Sequence, residues 1–242
     1  MLDVDQLDLR LTQSDLWPKY GREPSGEARD NADQRIHCDY PNHTLTHPPR
    51  WDEPEAVELV IYLDRVEECG GATAVVPRTG PDDPAYPWPI MAMPGVEGLD
   101  YVNDQASAEA YLETHAPEKA AFREEHLYAR EAKARYGFGT ILFYRHDTWH
   151  RGTVGEPNTL RLVQNMTFRR ADAEWVNTVH PGWAWATYRP GHHLERLIAE
   201  ASVEQRTVMG FPKPGHPYWN DDTLAAVTAR YGLFGFNADP YR

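Results

Sequence analysis

Residues 139–161, GTILFYRHDTWHRGTVGEPNTLR, alternate as a strand, then turn, then start a returning strand. Successive strand side chains point to opposite faces, so Ile141, Phe143 and Arg145 share one face. Leu142, Tyr144, His146, Thr148 and His150 share the other. Gly, Pro and Asn in the segment GTVGEPN supply the turn geometry. The returning strand covers 159–169 and sets Arg161 among Leu160, Leu162 and Val163. A guanidinium in apolar company is costly unless a carboxylate, from protein or ligand, meets it.

The same reading finds other elements. VELVIYL within 55–66 is a continuous, β-branched run that suits a buried strand. A turn follows at 67–71, then a short strand at 72–77. QRIHCDY at 34–40 is a strand whose alternation puts His37 and Asp39 on one face, with Ile36, Cys38 and Tyr40 opposite. Residues 1–30 are polar, with Leu7, Leu9, Leu11 and Leu16 recurring, and predict a short strand or helix at an edge. Residues 106–135 are charged, Ala-rich and interrupted near Pro117, which predicts a surface helical insertion between strands. Short helices are expected at 194–201 and 223–231, after an aromatic loop, HPGWAWATYRPG. Long Pro- and Gly-rich loops cover 41–54 and 81–104. The expectation is one domain over 1–242, mainly β with flanking helices, with a helical insertion at about 105–135 and a C-terminal loop and helix region at about 171–242.

Charge narrows the partners. A net charge of -13 argues against nucleic acid and anionic membrane surfaces. Cys38 and Cys69 make no disulfide framework. No signal peptide is visible, and no apolar run approaches the ~20 residues of a membrane span. A cytoplasmic protein acting on a small molecule is expected, with its oligomeric state left open.

Two imidazoles and a carboxylate, His37, Asp39 and His150, are the ligand types of the facial triad that holds non-haem Fe(II) and leaves positions open. His-x-Asp alone is weak evidence, since a surface strand pair explains it equally well. Arg161, eleven residues after His150, returns across the hairpin, where it suits a bidentate clamp on a ligand carboxylate. The rival is an Arg161 paired with Asp64 or Glu58.

Three stretches together resemble the phytanoyl-CoA dioxygenase family of Fe(II)- and 2-oxoglutarate-dependent oxygenases: HCD at 37–39, VIYLDRVEECGGATAVVP at 60–77, and 139–161. The resemblance covers residues 34–170. It implies a double-stranded β-helix (jelly roll, cupin-like), with Fe(II) on His37, Asp39 and His150 and 2-oxoglutarate on Arg161. It also implies O2 as oxidant, release of succinate and CO2, and hydroxylation of a small-molecule metabolite. Halogenating relatives carry a small residue where Asp39 stands, so hydroxylation or a related oxidation is favoured. Tyr62 and Thr73 fall on the strands expected to line the co-substrate pocket, and Gln34 and Trp149 are placed near substrate, as are Trp183 and Trp185. Arg78-Thr79-Gly80 replaces the family's Gly-Ser-His, and only 36 residues precede His37, which implies either a compact member or missing outer elements, with an open pocket. Arg35, Arg78, Arg145 and Arg151 are candidates for a local basic patch, and Cys38 for a small apolar filler. Other readings of the same residues are a zinc-dependent hydrolase, which has no use for Arg161, and a non-catalytic ligand-binding jelly roll.

Overall fold

A computed structural model describes residues 2–39, 44, 45, 48–89, 92–176 and 190–242. Two antiparallel sheets organise it. β1 (Leu9–Tyr20), β7 (Leu160–Arg170), β2 (Ala56–Tyr62) and β5 (Ile141–Arg145) pair in the order β1-β7-β2-β5. β4 (Ala132–Lys133), β3 (Thr73–Val75) and β6 (His150–Gly152) pair in the order β4-β3-β6. β2 lies between β7 and β5, as its run of Val and Ile demands, and Val60 and Tyr62 are buried. The short helix α1 (Val66–Cys69) and left-handed Gly70 and Gly71, at φ 58° and 65°, turn the chain from β2 into β3.

β1 is longer than the short edge element expected. Its register with β7 runs from Leu9 opposite Arg170 to Tyr20 opposite Leu160, with one irregularity between Leu11 and Gln13. An edge strand tolerates Pro18, whose missing N–H breaks no inner ladder. The pairing is long-range, so no local pattern announces it.

The single strand expected over 139–150 is two strands in different sheets. β5 ends at Arg145 and the chain turns, with the Thr148 amide donating to the Arg145 carbonyl at 2.9 Å. Asp147 fixes the turn by accepting from Arg145 at 2.7 and 2.8 Å and from Arg78 at 3.3 Å. A short acidic side chain with such partners holds a turn better than a ladder. His146 and His150 therefore do not share one strand face.

The strand expected at 34–40 reduces to two bridges, Gln34 with Asp104 and His37 with His150, while residue 40 is outside the described part. Side chains from the helical insertion satisfy this segment's backbone instead. The insertion comprises α2 (Gln105–His115), capped by Asp104, and α3 (Pro117–Phe122), with Pro117 in its first turn. Beyond α3, Arg123 is fully buried and donates to the Ile36 carbonyl at 3.0 Å, while Tyr128 Oη accepts the Ile36 amide at 3.2 Å. The insertion is thus a buttress of the His37 segment and not merely a surface addition.

α4 (His193–Glu200), α5 (Val203–Val208) and α6 (Asp221–Tyr231) follow. Leu194, Ile198, Phe211 and Tyr231 pack with Trp175 in their own core. α5 was not expected from the apolar pattern, although Ser202 and Gln205 spell its capping box. Trp183 and Trp185 lie outside the described residues. No helix among the described residues is long and apolar enough to cross a membrane.

Candidate metal centre

His37 and His150 converge because they are directly opposed. Each donates its amide to the other's carbonyl at 2.8 Å. Opposed residues of an antiparallel bridge send their side chains to one side, and the rings lie 4.4 Å apart between centroids. Asp39, two residues beyond His37, returns to that side. Its carboxylate oxygens lie 3.9 Å from His37 Nε2 and 3.5 Å from His150 Nε2. One donor atom from each of the three lies within 4.8 Å of the others.

The local backbone also fixes the tautomers. His37 Nδ1 donates to the Arg35 carbonyl at 3.1 Å and His150 Nδ1 to the Thr148 carbonyl at 3.0 Å. A carbonyl only accepts, so each Nδ1 carries a hydrogen, and each ring turns its Nε2 toward the centre. Burial, with His150 and Arg35 nearby, pushes His37 down to about 3, which keeps it neutral, the form a metal requires. A donor set of two imidazoles and a carboxylate fits a divalent iron-type ion.

Arg161 is buried on β7 and does not pair with either carboxylate proposed as its rival. Glu58 accepts from Thr167 Oγ1 at 2.6 Å and contacts His146 Nε2 at 3.2 Å, while Asp64 accepts the Leu162 amide at 2.5 Å. The Arg161 guanidinium donates to the Gly71 carbonyl and lies 5.8 Å from the Tyr62 ring, but its Nε has no partner. Burial lowers its pKa, partly offset by Tyr62, Tyr136, Cys69 and Asp64. Tyr62 stacks on Tyr136 at 3.9 Å, and its hydroxyl accepts the Thr73 amide at 3.2 Å. Thr73 pairs with Gly152, two residues past His150. Gln34 accepts the Gly152 amide at 3.1 Å through Oε1. Gln34, Tyr62 and Thr73 therefore gather between the triad strand and Arg161.

Three features were not read from the sequence. Lys19 on β1 is buried directly opposite Arg161, and its Nζ has no hydrogen-bond partner. Tyr144 lies 4.5 Å from the His150 ring, and burial drives its hydroxyl well above the ordinary range, with Asp39, Glu58 and Tyr62 adding and Arg161 opposing. That phenol is within electrostatic reach of both the triad carboxylate and the guanidinium. The third is the buried cluster of Glu58, His146 and Thr167, whose members lie beside Asp39. A glutamate inside an otherwise apolar strand was its only sequence signal.

Two expectations are corrected. Trp149 is fully buried in the core formed by Ile36, Cys38 and Val76, with Nε1 donating to the Ala85 carbonyl at 2.7 Å, so it does not line a substrate pocket. The four arginines form no free basic patch: Arg78 and Arg145 meet Asp147, Arg151 meets Asp33 and Glu131, and Arg35 donates to Asn103.

No protein-family model matches the sequence, and no curated protein does. Among solved structures, EvdO2 from Micromonospora carbonacea var. aurantiaca aligns with a TM-score of 0.44 and 13% identity, over 70% of this chain and 55% of that one. The non-heme alpha ketoglutarate dependent epimerase SnoN from nogalamycin biosynthesis gives 0.38 and 15%, over 67% and 48%. The carbocyclase SnoK from nogalamycin biosynthesis gives 0.41 and 15%, over 68% and 51%. The chain spans about half the length of these structures. At these scores the alignments assign no function to it.

Proposed function

We propose that this chain is a non-haem Fe(II)- and 2-oxoglutarate-dependent oxygenase of the phytanoyl-CoA dioxygenase type that hydroxylates a small-molecule metabolite. In this reading the two sheets are the walls of one double-stranded β-helix domain. The observation that supports it most is the pairing of a triad whose Nε2 atoms are aimed inward with a buried arginine that has no carboxylate partner among the described residues.

His37, Asp39 and His150 would hold the metal through three positions and leave others for small ligands. When bound, iron and the 2-oxo acid supply the oxidation, coupling loss of CO2 and formation of succinate to oxygen insertion into a substrate C–H bond. Arg161 would bind the carboxylate of the diacid farthest from the metal, and its planar fork suits that group. Tyr62 and Tyr136 wall that end and exclude water, while Tyr144 packs against His150 and restrains its ring. Glu58 and Thr167 hold His146, the residue that accepts the Asp39 amide at 3.1 Å through its carbonyl. This fixes the third ligand's backbone from below.

Purified protein given Fe(II), ascorbate, O2 and 2-oxoglutarate should form succinate, and His150→Ala should not. Oxygen-independent hydrolysis with zinc, or no 2-oxoglutarate binding, would reject the reading.

A further inference from the structure

Lys19 has no task in the function just described, yet it is the one buried position of β1. Its Cα partner across the ladder is Arg161. Side chains of directly opposed residues share a face, so two cations are set side by side. Neither has an ion pair among the described residues; Lys19 Nζ and Arg161 Nε both lack any hydrogen-bond partner. Two buried like charges without a counter-ion are unfavourable, and the repulsion is relieved when Lys19 gives up its proton or when an anion lies between them.

The position of the ammonium is informative. A Cβ built on Gly152 would come within 2.9 Å of Lys19 Nζ and 2.6 Å of Gln34 Oε1. Nζ therefore crosses from the large sheet to the small one and stops against the backbone of β6, two residues past His150. The missing side chain at Gly152 is what admits it. The nearby carboxylates are occupied elsewhere. Asp33 is in an ion pair with Arg151 at 2.5 Å, and Asp30 takes Arg22 at 2.8 Å and the Ala32 amide at 2.7 Å.

We propose that Lys19 is a second anchor for the distal carboxylate of the dicarboxylic co-substrate, sharing it with Arg161 and thereby setting the preference for a 2-oxo diacid over a 2-oxo monoacid. The inference rests on the oxygenase reading. A carboxylate offers two oxygens with about four acceptor sites, enough for the Arg161 fork and a third donor from Lys19. The anion also relieves the repulsion between them. Burial, with Arg161 beside it, pulls Lys19 down to about 7; Asp33 and Asp30 oppose this and Arg151 adds to it. Binding of a diacid therefore favours proton uptake by Lys19.

The test is calorimetric titration of the full chain loaded with Mn(II) under nitrogen, which reads binding without turnover. The ligands are 2-oxoglutarate and pyruvate, which has no distal carboxylate. Lys19→Met should weaken 2-oxoglutarate by about tenfold or more, the worth of a charge-assisted hydrogen bond, and leave pyruvate within about twofold. Lys19→Arg should recover most of the loss, and serves if the Met variant does not fold. Wild-type affinity for 2-oxoglutarate should fall as pH rises above 7, by up to about tenfold per unit for one linked proton, and Lys19→Met should remove that slope. The inference is overturned if Lys19→Met binds 2-oxoglutarate like wild type, or loses pyruvate and 2-oxoglutarate equally. If the wild type binds pyruvate and 2-oxoglutarate with the same affinity and Arg161→Gln changes neither, the oxygenase reading itself fails.

Discussion

The two faces of the four-stranded sheet are built from the same strands and differ in kind. Toward the small sheet point Lys19, Glu58, Tyr62, Arg161 and Thr167, all buried. On the other face Leu16, Ile141, Phe143 and Leu160 are exposed, Phe143 to 48% and Leu16 to 56%. A half-buried antiparallel sheet ordinarily points its apolar residues inward and its polar ones to water. Here the inner face mixes its charged residues with buried Ala56, Val60, Tyr144 and Val163, while the outer face exposes apolar side chains. Burying two cations and a glutamate costs stability unless each is paired. Glu58 has found its partners within the chain, whereas Lys19 Nζ and Arg161 Nε have none among the described residues.

Substitutions on the inner face should therefore change binding first and stability second. His150→Ala removes a metal ligand and should cost more than the roughly 10–100-fold that outer partners of a metal site cost; metal titration with circular dichroism as a folding control reads it. Arg161→Gln should lower 2-oxoglutarate affinity by roughly 30-fold to 5,000-fold, the range for truncating one partner of a buried charge pair. The same change should leave the ligand-free protein as stable as wild type or more so, because it deletes an unpaired buried charge. Thr167→Val has the opposite signature. It withdraws a hydroxyl that donates to buried Glu58 and should destabilise by about 1–3 kcal/mol in denaturant unfolding, with a smaller effect on 2-oxoglutarate. On the outer face, Phe143→Ser should stay within about 0.5 kcal/mol of wild type. A loss above about 2 kcal/mol there would mean that the face is covered in solution, and the contrast between faces would disappear.

The triad was legible because two of its members are two residues apart, a spacing that holds them on one side even where the expected strand is only a pair of bridges. Arg161 was legible because the return from β6 to β7 is local, and Asn158, at φ 62°, takes the left-handed conformation expected of its turn. Lys19 was not legible, because its burial depends on β1 pairing with a strand some 140 residues later, as the Lys19–Arg161 register records. The end of β5 was misplaced for a different reason. Alternation was carried through Asp147, whose ion pairs with Arg145 and Arg78 stop the strand. The helical insertion was visible as helix, but its contact with Ile36 was not, since helical periodicity says nothing of where a buried Arg123 will donate.

The central claim is that one metal and one diacid meet between the two sheets. The most direct measurement is anomalous diffraction from crystals of this chain grown with Mn(II) and 2-oxoglutarate. The account predicts a metal peak bounded by His37 Nε2, Asp39 and His150 Nε2, with the far carboxylate of the diacid on Arg161. A metal bound elsewhere, or a diacid that leaves Arg161 untouched, would contradict it.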